Sequence, residues 1–163
     1  MPTRRLRALA EDDTGDPATA SAVDRDIGRL SADYLLRAIA ELAKVFEGDI
    51  LLGVIFLTLA RVSVEYQGPD LRNPQADAEG VVSDAGRRPI TTLALANSLN
   101  MPRETIRRYV NRLVELGYCQ RDGERRLMVT EAVMRRPEMA QMIRANRRHL
   151  ERVIAPLRRA NLI

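Results

Sequence analysis

The chain has 163 residues and is poor in the side chains that build disulfides, metal sites and stacking platforms. Its single cysteine, Cys119, excludes an internal disulfide and is typical of a reducing compartment. With one histidine and no Cys-x-x-Cys pair, a structural zinc site is not expected. Tryptophan is absent and aromatic residues make up 4%, which disfavours RNA binding by base stacking.

Long apolar segments and catalytic motifs are missing as well. The longest apolar run, residues 50–60, is too short to cross a bilayer, and the N-terminus lacks the apolar core of a signal peptide. We find no nucleophile–base pair, no phosphate-cradling glycine loop and no cluster of metal ligands. We therefore expect a protein that is not an enzyme, needs no cofactor and has no membrane partner.

Charge is distributed unevenly along the chain, whose formal net charge is +4. Residues 1–100 are net acidic, whereas residues 101–163 carry fifteen arginines against seven acidic side chains. All but one of the basic residues are arginine, the exception being Lys44. The asymmetry predicts a polyanion-binding surface in the C-terminal part of the chain.

The N-terminal part predicts two helices after a flexible segment. Residues 1–29 lack a sustained apolar period and predict a disordered arm. Ser31 or Asp33 is expected to cap a helix that reaches about Phe46. A second helix is expected from Asp49 to about Tyr66; because it is apolar on nearly all sides, it should be the buried central one. Residues 30–67 would then supply core and dimerisation surface, and residues 68–88 an irregular connector.

A compact pattern of short elements occupies residues 89–130. Thr91 or Thr92 is expected to cap a short helix ending at Leu99, with Asn100 in the left-handed conformation. Pro102 is placed to begin a longer helix that runs to about Glu115 and stops at Gly117. Two short strands, residues 118–121 and 126–129, then form a hairpin around Asp122-Gly123.

The two helices of this pattern have the spacing of a helix-turn-helix. A small residue, Ala96, lies where the second helix would cross the first, and the turn at Asn100 follows four residues later. Met101 supplies the apolar residue after the turn, and Ile106 lies ten positions after Ala96. These slots predict a mainly α fold, a winged helix-turn-helix with a small β-hairpin wing and flanking N- and C-terminal helices.

The outward side of the second helix carries Arg103, Arg107 and Asn111 at four-residue spacing, flanked by Thr105, Arg108 and Arg112. Arginine bonds both major-groove acceptors of guanine, and asparagine pairs with adenine. The competing interpretation is a solvated, arginine-rich amphipathic helix in an ordinary helical domain. The whole order of short helix, turn, long helix and hairpin favours the DNA-binding interpretation over it.

The run TTLALANSLNMPRETIRRYVNRLVELGYCQRDGERRLMVT resembles the winged helix-turn-helix of bacterial transcription regulators. Its segment 102–108, followed by Leu113 and residues 115–118, resembles the recognition helix of the GntR type. The same stretch, with Arg121 and Val129-Thr130, also resembles the MarR type. The connector at 68–88 and the hairpin tip depart from the MarR pattern, and the preceding helices depart from the GntR one.

This resemblance implies a transcription regulator, expected to be a dimeric repressor that inserts helix 102–116 into the major groove of double-stranded DNA. It implies base and phosphate contacts through the second helix, and backbone or minor-groove contacts through the hairpin. The residues expected at the DNA are Thr92, Arg103, Thr105, Arg107, Arg108, Asn111, Arg112, Arg121, Arg125 and Arg126. The alternative is a winged-helix interaction module whose arginine face binds an acidic protein.

The flanking helices, residues 31–46 and 137–157, carry more apolar surface than the small reading unit covers. We expect them, with the rest of residues 131–163, to form a homodimer; packing of both on helix 49–66 is the competing possibility. No residue set indicates a small-molecule effector. Cys119 is expected to be a buried small residue, and His149 to lie on a solvated helix face. A cytoplasmic, nucleoid-associated protein is expected.

Overall fold

The structure, a computed structural model, describes residues 21–64 and 73–163. These residues form a mainly helical fold with six α-helices and one two-stranded antiparallel sheet. The helices are α1 (Ala22–Val45), α2 (Ile50–Ser63), α3 (Thr92–Leu99), α4 (Arg103–Glu115), α5 (Glu131–Met134) and α6 (Pro137–Arg159). The strands are β1 (Gln120–Arg121) and β2 (Leu127–Met128).

Helix α1 begins ten residues earlier than a cap at Ser31 predicts, and twelve earlier than a cap at Asp33 predicts. The hydroxyl of Ser21 accepts a hydrogen bond from the backbone N–H of Asp24, whose carboxylate accepts one from the N–H of Ser21. This reciprocal cap fixes the helix start. The expected start at Ser31 or Asp33 is therefore wrong, as is the expected disorder of residues 22–29. The rest of that expected arm, residues 1–20, lies outside the described residues.

Helix α2 lies at the centre of the molecule, as predicted. The carboxylate of Asp49 caps it by accepting a hydrogen bond from the N–H of Leu52, and Ile55, Phe56 and Leu59 are fully buried. A Cβ on Gly53 would lie 3.0 Å from the ring of Phe46, so glycine permits α1 to approach closely. The helix ends at Ser63, before the expected end at Tyr66, a residue outside the described part.

The connector is irregular where it is described, at residues 73–88, as predicted; residues 68–72 lie outside the description. It contains an isolated bridge, Ala76 to Val82, and one turn of 3₁₀ helix, Asp84–Gly86. Side chains tie it to α5: the guanidinium of Arg135 donates to Asp77, and the Asp84 carboxylate accepts from the N–H of Glu131 at 2.7 Å. The connector is thus held against the start of the C-terminal helices.

Helices α3 and α4 meet at the turn that the sequence predicts. The hydroxyl of Thr91 caps α3, and Asn100 adopts the left-handed conformation with φ 50°. Leu95 and Ile106, one from each helix, are fully buried between α3, α4 and the central helix. This packing fixes the direction of α4 and leaves its polar side open to solvent.

The hairpin is shorter than predicted. The N–H groups of Tyr118 and Cys119 both donate to the carbonyl of Leu113 at the end of α4. Because these N–H groups are used there, only residues 120 and 121 pair as a strand. Arg121 lies opposite Leu127, and Leu127 also exchanges two backbone hydrogen bonds with Ile90 before α3. The hairpin is therefore attached directly to the base of α3.

Helix α6 begins at Pro137, as predicted, and packs along α1. The Tyr34 hydroxyl donates to the side-chain oxygen of Asn146 at 2.9 Å. His149 faces Glu41 of α1, with its Nε2 at 3.6 Å from Oε1, and its side chain is 15% exposed. The predicted solvated position of His149 is wrong, because α1 covers that side of α6. Pro156 lies inside the helix without ending it.

In the described part of the chain, no helix has both the length and the apolar character needed to cross a membrane.

Candidate nucleic-acid interface

A groove opens between α3, α4 and the hairpin, with a volume of about 520 Å³. Arg103, Arg107 and Asn111 of α4 line one side of it. Six further side chains complete the lining: Thr91, Thr92, Leu93, Arg121, Glu124 and Arg125. The structure therefore brings together six of the ten residues singled out from the sequence.

Four arginines from two separate elements converge on this groove. Arg103 and Arg107 belong to the first half of α4, whereas Arg121 and Arg125 belong to β1 and the hairpin tip. Among its lining residues the groove contains one carboxylate, that of Glu124. Such an arrangement concentrates positive charge in a concave surface and attracts polyanions.

The side chain of Asn111 is engaged within the protein. Its oxygen accepts a hydrogen bond from Nη2 of Arg121 at 2.8 Å, which links the middle of α4 to the hairpin. This bond orients the Arg121 guanidinium along the groove and leaves the Asn111 amide nitrogen as the remaining donor. In this structure Asn111 therefore positions an arginine, a role that its sequence spacing does not predict.

Arg107 is also paired. Its Nε and Nη2 donate to the two carboxylate oxygens of Glu104 at 2.8 and 2.6 Å, in a bidentate ion pair across one turn of α4. The hydrogen bond from Arg107 lowers the pKa of Glu104, and the same bond raises the pKa of Arg107. Both side chains are exposed, so the pair is accessible from solvent. Sequence reasoning did not assign a role to Glu104, although its three-residue spacing from Arg107 is a signal for such a pair.

The two arginines beside each other at the hairpin tip have different environments. Arg126 donates from Nε to Asp122 at 2.8 Å and lies 3.2 Å from Glu124. Arg125 occupies the left-handed conformation with φ 61°, is exposed and lines the groove. Arg126 thus serves the hairpin turn, while Arg125 faces the groove.

Three predicted residues of α4 do not line the groove. Arg108 lies 5.4 Å from the centre of the Tyr109 ring, and it lines a second depression together with Arg112. Asp49, Glu104 and Glu115 line the same depression, so its positive charge is largely compensated. Thr105 is half-buried and lines neither surface.

Cys119 is buried beneath the hairpin, as predicted. Burial raises the pKa of its thiol to about 11. A thiol that stays protonated and inaccessible is a poor nucleophile. Within residues 21–64 and 73–163, no three histidine, cysteine or carboxylate side chains are grouped in a way that could hold a metal ion.

Comparison of this chain with protein-family models, with curated proteins and with solved structures gave no match. The resemblance of residues 92–130 to bacterial regulators stays a prediction.

Proposed function

We propose that the protein is a sequence-specific regulator of transcription that binds double-stranded DNA. Residues 89–130 act as a winged helix-turn-helix in which α3 supports α4, and β1 and β2 form the wing. Helix α4 enters the major groove through its first half, where Arg103 and Arg107 reach base edges. The hairpin arginines, Arg121 and Arg125, contact the DNA backbone or the adjacent minor groove.

The observation that carries this proposal is the convergence of arginines from α4 and from the hairpin on one groove. A single amphipathic helix with arginines on its solvent side would not place a second element's cations beside them. Arginine offers planar, forked donors that suit both guanine and phosphate. Leu93, 51% exposed in the same groove, adds an apolar contact of the kind that suits a thymine methyl group.

The geometry narrows the set of DNA contacts. Arg126 is held by Asp122 and Glu124 outside the groove, and the Asn111 oxygen is occupied by Arg121, so neither is proposed to read bases. Arg107 and Arg121 are kept, because each guanidinium has further N–H groups beyond those in its internal hydrogen bonds. Arg108, Arg112 and Thr105 lie outside the groove and are assigned to flanking phosphates at most. The proposed reading set is therefore Arg103 and Arg107, with Thr92, Arg121 and Arg125 around them.

The same proposal includes a homodimer formed by α1 and α6. These helices pack on each other, and each leaves apolar side chains in solvent: Leu35 is 57% and Leu36 67% exposed on α1, and Ile143 is 51% exposed on α6. A second copy offers the same faces, so a two-fold arrangement covers both sets at once. Two copies of α4 would then read two half-sites about one DNA turn apart. The proposed action is repression.

Selection of bound sequences from random duplexes with the purified full chain tests the proposal. We expect an enriched pseudo-palindromic site and an affinity that falls steeply with salt. Arg107→Ala should weaken binding to that site by about 1–3 kcal/mol, mostly at one base position. Arg61→Ala is the matched control, because Arg61 is an exposed arginine in the last turn of α2, outside the groove and outside the helices of the proposed dimer.

Absence of binding to any duplex at low salt would contradict DNA binding altogether. Binding without sequence preference would contradict a specific regulator and leave a nonspecific polyanion site. If Arg103→Ala and Arg107→Ala instead abolish capture of an acidic protein while DNA binding is unchanged, the arginine face is a protein-docking surface.

A further inference from the structure

An acidic side chain, Glu104, lies on α4 at the edge of the surface that is proposed to face DNA: it lines the second depression beside Arg107, which lines both that depression and the groove. At about 100° per residue, Glu104 is about 20° from Asn111 around the helix and lies between Arg107 and Arg108. Its side chain is 75% exposed. A carboxylate in this position faces a polyanion, which costs binding energy unless the carboxylate has a specific partner.

In the free protein, Glu104 already has one specific partner, Arg107. The two Glu104 oxygens accept hydrogen bonds from Nε and Nη2 of Arg107 at 2.8 and 2.6 Å. Carboxylate oxygens have further lone pairs, and the Arg107 guanidinium has further N–H groups. The pair therefore presents acceptors and donors side by side to whatever lies against α4.

We propose that Glu104 is a specificity-determining residue, which accepts a hydrogen bond from a cytosine amino group while Arg107 reads guanine. This inference rests on the proposed DNA-binding function. A G·C pair presents the guanine acceptors O6 and N7 beside the cytosine N4 donor in the major groove. The Arg107–Glu104 pair has the complementary pattern, so both members read one G·C pair or two adjacent ones.

Glu104 also limits what Arg107 binds. A phosphate offers acceptors but no donor, so an Arg107 that turns to a phosphate leaves the Glu104 carboxylate facing negative charge. A guanine–cytosine target satisfies both side chains. The ion pair therefore weakens nonspecific contact with the DNA backbone and favours base reading over it.

The test compares Glu104→Gln with Glu115→Gln. Both changes remove one negative charge from an exposed position of α4, but Glu115 makes no ion pair in the described part of the chain and is eleven residues away. Each purified full-length variant is assayed on the duplex selected by the unmodified protein, on single-base variants of it, and on an unrelated duplex over a range of salt. Circular dichroism melting checks that each variant is folded.

For the unmodified protein we expect a preference for cytosine of roughly 5- to 150-fold at one position. Glu104→Gln should remove most of that preference, or shift it toward adenine, with which glutamine pairs. The variant should bind the unrelated duplex more tightly and with a salt slope steeper by about one unit, because Arg107 is released to a phosphate. Glu115→Gln should keep the preference.

Equal behaviour of the two variants would overturn the inference, because only general charge would then matter. An unchanged cytosine preference in Glu104→Gln would overturn it as well. Both results require that the unmodified protein selects a DNA site, so they are distinct from failure of the proposed function. That failure would appear as no selected site for the unmodified protein.

Discussion

Two regions of the molecule distribute apolar and charged side chains in opposite ways. In the unit of residues 89–130, Leu95, Ile106, Val110 and Leu113 are buried and the open side carries arginines. In the pair formed by α1 and α6, the helices cover each other in part, yet Leu35, Leu36, Ile143 and Leu150 remain exposed. The first region buries most of its large apolar side chains within one chain and leaves Leu93 and Leu116 exposed, whereas the second leaves several large apolar side chains in solvent on one helix pair.

The difference shows how the two regions would contribute to one function. The buried face of α4 fixes the helix on the central helix α2, so its arginines keep a defined position. Isolated exposed apolar residues are ordinary on protein surfaces, but α1 and α6 expose several large ones on the same helix pair. In the proposed function, DNA recognition and dimer assembly are therefore assigned to separate regions of the chain.

The largest effect is expected from the core beneath α4. Ile106→Ala removes a fully buried side chain between α3, α4 and α2 and should lower the free energy of unfolding by about 2–5 kcal/mol. Leu93→Ala is the control, because Leu93 is half exposed and should change stability by less than about 0.5 kcal/mol. Urea denaturation measures both. Equal destabilisation by the two changes would contradict the packing described here.

The next effect appears only at alkaline pH and concerns Cys119. Its pKa is raised to about 11 in the folded protein, so between roughly pH 9 and 11 the unfolded chain loses the thiol proton while the folded protein keeps it. Folding stability should therefore be full below this range and fall as pH rises through it, by about 2–3 kcal/mol. Cys119→Ala should reduce that fall.

Denaturant unfolding at a series of pH values, compared between the unmodified protein and Cys119→Ala, measures this effect. The comparison cancels the contribution of Tyr118, whose pKa burial also raises. Parallel pH profiles of the two proteins would show that the thiol is accessible to solvent in the folded state.

A smaller effect separates the two arginines of the hairpin tip. In Arg125→Asn the new asparagine tolerates the left-handed conformation of this position, so the hairpin should keep its shape. Because one proposed phosphate contact is lost, the slope of log affinity against log salt should become shallower by about one unit. Arg126→Asn should leave that slope unchanged and weaken the hairpin by less than about 1 kcal/mol, because Arg126 is engaged by Asp122 and Glu124. Fluorescence anisotropy with a labelled duplex gives both slopes. A lower slope for Arg126→Asn would mean that its ion pairs open on DNA.

The sequence predicts the elements whose signals are local. Asp49, Thr91 and Thr130 cap the helices that follow them, and Asn100 has the conformation expected of it. The start of α1 is missed because the residues after its cap, Ser21 with Asp24, have no sustained apolar period in the sequence. Their helical conformation is supported by the packing of α1 on α6, which the sequence does not reveal. His149 is missed for the same reason, since its cover comes from a helix that is distant in sequence.

Helix periodicity predicts that three of the six site residues at the groove share one face of α4: Arg103, Arg107 and Asn111. The other three, Thr92, Arg121 and Arg125, meet them only through the tertiary fold. Sequence alone does not predict which of those side chains bond to each other. The pairs Arg107–Glu104, Arg121–Asn111 and Arg126–Asp122 depend on rotamers and on the position of the hairpin. These pairs decide which N–H groups of each arginine remain available to a partner.

The smallest effect on the stability of the monomer is expected from Leu36→Glu on α1. Leu36 is 67% exposed, so the charge enters solvent in the monomer and little packing is lost. In the proposed dimer the same charge would be buried without a partner, which is costly. The variant should therefore have the mass of a monomer in size-exclusion chromatography with light scattering, and a melting temperature that no longer depends on protein concentration.

Leu116→Glu is the matched control, since Leu116 is 45% exposed at the end of α4 and belongs to neither α1 nor α6. The Leu116→Glu variant should keep the mass of a dimer in the same measurement. A monomeric unmodified protein, or a dimeric Leu36→Glu variant, would break the contrast between the two regions, because the exposed leucines of α1 would then need no partner copy. A dimer lost only in Leu36→Glu would confine assembly to the α1–α6 pair and leave residues 89–130 free for DNA.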